Sequence, residues 1–331
     1  MLKGLVERLL ETIPLACRQN LPASEFSYWK IGGPVKLFVE PNDIHELALA
    51  IKLCNAQSDV PFLVVGDGSN LLFDSSGFDG VVIKIGNNLS SLKIDGTSVV
   101  CEAGIWVPEL TYRLSSYGLS GIEHICGIPG RLGGLIYMNG GSNRRSILEN
   151  TVSIELINKR GEIEKVFIED LEFAYRTSPF QEANDDRIVA RVELKLKKSE
   201  RKLVRKQIKT ILSSRRKKFP RKLPNCGSVF LSDPAMYDII GPPGFAIEKV
   251  GLKGRVRGNA QISPIHANFI VNNGGASSDD VLYLIALARR EVYQSTNFLM
   301  DCEVRYVYPN GGLVQAHLKA DSSYSSDKYC S

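Results

Sequence analysis

Two runs of small residues constrain this chain more than anything else in it: Gly66-Asp67-Gly68-Ser69-Asn70 and Gly127-Ile128-Pro129-Gly130. Each follows apolar sequence of strand character. Glycine lacks a Cβ and tolerates positive φ, so such a run lets the backbone pass close to a ligand and offer it main-chain amides. A tight turn has the same sequence signature, and at this point both readings stand for each segment.

The surroundings of the runs are mixed α+β. Pro34 to Glu40, Pro61 to Val65 and Gly80 to Ile85 read as strands. Asp43 to Cys54 reads as a helix with Asn42 as its cap, since Ile44, Leu47, Ala48 and Ile51 share one face. Val107 to Tyr117 is a second helix, with Pro108 in its first turn and Gly118 at its end. Val152 to Ile157 and Glu162 to Phe167 flank Lys159-Arg160-Gly161 as a hairpin, and Ile188 to Leu196 alternates like a half-buried strand. A basic amphipathic helix spans Glu200 to Ser213. Beyond it, Gly227 to Leu231, Ala267 to Val271 and Cys302 to Tyr308 read as strands, and Asp279 to Tyr293 as a helix capped by Ser277 or Ser278. After Pro309 the sequence turns polar, and from about Ala320 it is expected to be disordered. The boundaries that follow are 1–88, 89–198, 199–309 and a tail of 310–331.

Several function classes are excluded. No Gly-x-Gly-x-x-Gly fingerprint is present, so a dinucleotide would bind by another scheme. The seven cysteines are scattered without a Cys-x-x-Cys pair and the four histidines are dispersed, which argues against a disulfide framework or a metal site. The start is amphipathic and broken by charge, and no apolar run reaches membrane-spanning length, so a cytoplasmic protein with no membrane partner is expected. The net charge of +5 is concentrated between Lys197 and Lys222. With Phe219 the one aromatic residue in that stretch, and no base-stacking aromatics interleaved through it, a solvated helix face or an anionic small molecule fits better than nucleic acid.

Three later segments can carry chemistry. Arg176, in Tyr175-Arg176-Thr177-Ser178, has a planar fork suited to a carboxylate or a flavin edge, or is a surface arginine. Ser228, in Asn225-Cys226-Gly227-Ser228-Val229-Phe230, follows a glycine and faces a cleft or merely forms a turn. No Gly-x-Ser-x-Gly elbow surrounds it. Glu303, in Asp301-Cys302-Glu303-Val304-Arg305, points to solvent or into a pocket.

Taken in order, these segments resemble the UDP-N-acetylenolpyruvoylglucosamine reductases of peptidoglycan precursor synthesis. The matching residues are Ile31-Gly32-Gly33-Pro34, Gly68-Ser69-Asn70-Leu71-Leu72, Gly127-Ile128-Pro129-Gly130, Tyr175-Arg176-Thr177-Ser178, Gly227-Ser228-Val229-Phe230, Gly251-Leu252-Lys253-Gly254, His266-Ala267-Asn268-Phe269 and Glu303-Val304-Arg305. The tyrosine-bearing loop of the long form has no counterpart between Arg176 and Arg215, so the chain is similar to the short form.

The resemblance implies an FAD-binding fold of the vanillyl-alcohol-oxidase type in two subdomains, with a C-terminal α/β substrate-binding domain. It implies non-covalent FAD, NADPH as co-substrate, and UDP-N-acetylglucosamine enolpyruvate as the molecule reduced, in a monomer. Carried over residue by residue, it assigns FAD contacts to Ile31, Gly32, Gly33, Gly66, Asp67, Gly68, Ser69, Asn70, Leu71, Gly127, Ile128, Pro129, Gly130, Gly133, Gly134, Asn139, Gly140, Gly141, Arg176 and Val189. It assigns substrate contacts to Tyr175, Arg215, Ser228 and Glu303, and catalysis to Arg176, Ser228 and Glu303, with Ser228 as proton donor. Three places depart from the family pattern: Arg131-Leu132 after the second glycine run, Leu231-Ser232-Asp233-Pro234 in place of Lys-Asn-Pro, and Phe219 in place of glutamine. A long cation at 131 reaches a phosphate or points outward. The runner-up readings are another FAD oxidoreductase of the same fold, with His124 or Cys126 as a covalent tether, and a non-catalytic flavin- or nucleotide-binding protein.

Overall fold

A computed structural model describes residues 1–174, 176–182 and 185–324. The chain divides into two interleaved units. The first comprises Met1–Gln19, Leu37–Asp67 and Val81–Lys217, and the second Asn20–Lys36, Gly68–Gly80 and the chain from Lys218 onward. The expected boundary at 88/89 falls inside the first unit, and the first glycine run is divided between the units after Asp67.

In the first unit, Phe62–Val65 pairs in parallel with Phe78–Lys84, and those two strands lie in one sheet with Pro34–Val39 and Cys17–Pro22. The helix Ile44–Asn55 lays Leu47, Ala50 and Ile51 into the core. Its cap is Asp43 rather than Asn42: the Asp43 carboxylate accepts from the Glu46 amide at 2.9 Å, while Asn42 donates to the Glu46 side chain instead. A five-stranded antiparallel sheet follows, in the order Ile163–Phe167, Thr151–Ile157, Ile188–Lys195, Ser98–Glu102, Leu92–Asp95. The amphipathic start folds as the helix Leu2–Thr12, which buries Leu5 and Leu9. Fully burying one such side chain is worth about 1.5–3 kcal/mol.

The second unit has its own core, which includes Trp29, Leu72, Phe230, Ile285 and Tyr306. Trp29 donates its indole N–H to the Ile270 carbonyl at 3.0 Å. Leu71–Phe73 pairs in parallel with Arg305–Val307, which pairs antiparallel with Leu313–Gln315. The helix Ser278–Thr296 starts on a capping box of Ser277 and Asp280.

Three expectations are corrected here. Gly227 to Leu231 is not a strand; it makes a lone antiparallel bridge, Phe230 to Cys302. The strand expected from Ala267 begins only at Ile270, because the Phe269 amide turns back to the His266 carbonyl at 3.0 Å. The expected tail folds through Tyr324: Leu313–Gln315 adds a strand, and Ala316–Tyr324 is a helix that buries Ala316, His317 and Ala320.

Candidate active site

The strand Phe62–Val65 delivers Gly66 and Asp67. A Cβ at Gly66 would lie 3.0 Å from Cγ of Arg131, so the glycine makes room for that side chain. Among the described residues, the amides of Asp67, Gly68 and Ser69 meet no acceptor, and the same holds for Gly127, Gly130 and Arg131. Two short backbone runs therefore present unspent N–H donors, as anion cradles do. Each run by itself offers amides of the kind that suit a phosphate.

The second run is shaped by packing as well. Gly130 has φ of +139°, closed to other residues, and its carbonyl accepts from the Val107 amide at 3.0 Å. A side chain at Gly127 would collide with Cδ of Arg215, which the helix Arg201–Lys218 brings to this loop. Arg131 does not point outward, its side chain being 10% exposed. Its Nε donates to Asp67 Oδ1 at 2.8 Å, and its Nη1 to Gly104 O at 2.8 Å and Asn87 Oδ1 at 2.5 Å. The departure from the family pattern thus ties the second glycine run to the first. Leu132–Tyr137 follows directly as a short helix, in which Gly133 packs against Ala103.

Other expected FAD residues of the first unit have visible structural work. Gly140 packs on Leu135, Gly141 on the Arg145 carbonyl, and Val189 is buried in the five-stranded sheet. Asn139, at φ of +42°, donates to the Ala174 carbonyl at 2.6 Å. Gly134 faces open space. Arg176 has φ of +58°, an uncommon conformation for a side chain of this size, and precedes Thr177, which exchanges two backbone hydrogen bonds with Ala174. Gln181 donates to the Arg176 carbonyl at 3.1 Å. Tyr175 lies outside the described residues.

In the second unit, Ile31 is buried and Gly33 is hemmed in by the Ser75–Gly77 backbone. Main-chain bonds join the segments that carry Ser228 and Glu303. Gly227, at φ of +82°, turns the chain with its amide on the Asn225 side chain at 3.0 Å. The Val229 amide then donates to Asn268 O, and its carbonyl accepts from the Glu303 amide, both at 2.9 Å. Glu303 therefore stands opposite the residue next to Ser228. Both are half-buried.

Asn70 closes the arrangement. Its side-chain amide donates to the Glu303 carbonyl at 3.1 Å, and its own carbonyl accepts from the Arg305 amide at 3.0 Å. Asn268 supports this segment structurally. Its side chain pairs with both polar groups of the Phe230 backbone, at 2.9 and 3.0 Å, like a strand neighbour. The only sequence signal for it was its place in a family motif. His266 stacks with Phe219 and Phe269, ring centroids 5.1–5.4 Å apart, so the Phe219 departure completes an aromatic cluster. Asp233 caps the helix Pro234–Ile239, which accounts for the second departure. No group of three metal-ligating side chains exists among the described residues.

Residues 219–307 match the model of the UDP-N-acetylenolpyruvoylglucosamine reductase C-terminal domain, and 35–166 match an FAD-binding domain. The chain is 47% identical over 300 residues to UDP-N-acetylenolpyruvoylglucosamine reductase 1 of Corynebacterium glutamicum, covering 91% of this chain and 89% of that one. The chain belongs to the UDP-N-acetylenolpyruvoylglucosamine reductase family. The Heliobacterium modesticaldum member is 38% identical over 92% of this chain and 95% of its own length. Among solved structures, the Thermus caldophilus reductase (MurB) superposes with a TM-score of 0.72 at 28% identity, covering 86% of this chain and 97% of that one. The architecture is the expected order of an FAD-binding domain followed by the family's C-terminal domain.

Proposed function

We propose that this chain reduces UDP-N-acetylglucosamine enolpyruvate to UDP-N-acetylmuramate with NADPH, as a flavoenzyme of peptidoglycan precursor synthesis. The observation that supports the reading is the hydrogen bond from the Glu303 amide to the Val229 carbonyl, which joins the segment of Ser228 to that of Glu303 within the stretch that matches the family's C-terminal domain. Asp67, Gly68, Ser69, Gly127, Gly130 and Arg131 would hold the diphosphate of FAD through their amides. When bound, FAD would supply the hydride-transfer chemistry that links NADPH to the enol-ether carbon of the substrate.

The chain's own residues handle charge and protons. Arg176 and Glu303 polarise the substrate carboxylate, so negative charge developing on the carbon beside it is stabilised. The Ser228 hydroxyl donates the proton to that carbon. Arg215 and Tyr175 contact the sugar nucleotide. The flavin is non-covalent in this reading: the Cys126 thiol, pushed up to about 11 by burial, is a poor nucleophile for a tether. The protein acts as a cytoplasmic monomer, and no helix among the described residues is long and apolar enough to cross a membrane.

The test is direct. The purified protein should be yellow, bleach with NADPH under anaerobic conditions, and regain colour on adding UDP-N-acetylglucosamine enolpyruvate. Bleaching without reoxidation by that compound would refute the substrate assignment.

A further inference from the structure

The segment after the matched C-terminal domain grips the backbone on both sides of Glu303. His317 Nδ1 accepts from the Cys302 amide at 3.0 Å, Gln315 Nε2 donates to the Cys302 carbonyl at 3.3 Å, and the Ala316 amide donates to the Val304 carbonyl at 2.9 Å. His317 is 5% exposed. Because its Nδ1 is an acceptor, the ring proton sits on Nε2, which faces Asp301 Oδ1 at 3.4 Å. The helix carrying His317 is anchored in turn by Arg289. That guanidinium holds Asp321 at 3.2 and 3.0 Å, reaches Asp301 at 3.4 Å, and donates to the Met300 carbonyl.

We propose that His317 is a positioning residue for Glu303: in its neutral form it fixes the Cys302–Glu303 backbone, and with it the carboxyl that the second half-reaction uses. The inference rests on the reading of Glu303 given above. It predicts a pH dependence of its own. Arg289 from the helix Ser278–Thr296, Asp301 from the loop that follows it, and Asp321 from the helix Ala316–Tyr324 that carries His317 are the charged groups facing the ring. Burial, aided by Arg289, holds the imidazole below its ordinary range against the pull of the two carboxylates. Once the ring is protonated, Nδ1 can no longer accept, and the Cys302 amide meets a donor.

The test follows the two half-reactions by stopped flow on the flavin-loaded enzyme. His317→Leu removes the acceptor; His317→Asn restores one near the Nδ1 position. We expect His317→Leu to reduce NADPH-driven bleaching less than about twofold and to slow substrate-driven reoxidation roughly ten- to hundredfold, as a misplaced catalytic group does. His317→Asn should recover most of the rate and lose the acid-side fall that the parent is expected to show below the ordinary histidine range. Equal loss in both half-reactions, or an Asn variant as slow as Leu, would overturn the inference. So would superimposable pH profiles for the parent and His317→Asn, a comparison that stands even if His317→Leu does not fold. If the parent itself is not reoxidised by the enolpyruvyl substrate, the underlying reading of the site fails instead.

Discussion

Replacing Arg131 by methionine tests whether its charge serves the protein or a bound phosphate. The guanidinium has three protein partners within 2.8 Å, and the side chains of Arg131 and Asp67 are only 10% and 14% exposed. Removing one member of a largely buried ion pair strands the other, at a cost of about 3–5 kcal/mol. Lys84 stands 3.8 Å from the same Asp67 oxygen and can move closer. The expected loss is therefore at the lower end, about 3 kcal/mol. For a chain of 331 residues that is roughly 4 °C of melting temperature. Asp67→Asn in the same chain removes the stranded carboxylate, so the double variant should regain at least about 1 kcal/mol, a coupling usual for contacting residues. The assay is thermal and urea unfolding of the four flavin-loaded proteins of the cycle, with FAD affinity measured alongside. Suppose Arg131→Met melts within about 2 °C of the parent while binding FAD tenfold or more weakly. The charge would then belong to the ligand, and the clamp assigned to it would be wrong.

Ser228→Ala should leave flavin reduction by NADPH nearly intact and slow substrate-driven reoxidation by about 10²–10⁴-fold, read by stopped flow; equal losses would remove Ser228 as proton donor. Gly33→Ala should cost about 1–3 kcal/mol in urea unfolding, because its new methyl would lie 2.7 Å from the Gly77 amide nitrogen within a backbone turn. His124, His266 and His317 are each held below the ordinary histidine range, first by burial. The unfolded chain takes up protons that these rings refuse. Stability should be complete above about pH 6.5 and fall as the pH drops below it. Unfolding midpoints that are flat from pH 7.5 to 5.5 would contradict that burial.

The elements that sequence renders well are those whose signal is local. Ile44–Asn55 and Ser278–Thr296 carry apolar faces and capping side chains within their own few residues. The hairpin around Gly161 is likewise marked by its turn, where Gly161 has φ of +79°. What sequence hides is set by distant partners. Arg131 finds Asp67 across 64 positions, and Asn70 finds Glu303 across 233. Gly227 to Leu231 has a strand's alternation, yet the Asn268 side chain stands in for a neighbouring strand at Phe230. The polar C-terminal stretch reads as solvated until Leu313–Gln315 is seen to complete a sheet edge. Within the candidate site, residue types were legible from the ordered motifs. Which glycines face open space and which merely admit a neighbour was not.

The interleaving of the two units has a consequence for synthesis on the ribosome. Trp29, Ile31 and Leu72 belong to a core whose remaining members begin at Cys226. At about 5–20 residues per second, roughly 150 residues separate Leu72 from those partners, so its apolar surface waits about ten to thirty seconds after emerging. The first unit can collapse around its own sheets in that interval, leaving two short apolar stretches as the segments most in need of a chaperone. Slowing elongation between codons 80 and 218 should therefore lower the yield of native protein, whereas slowing it after the last core residue should not.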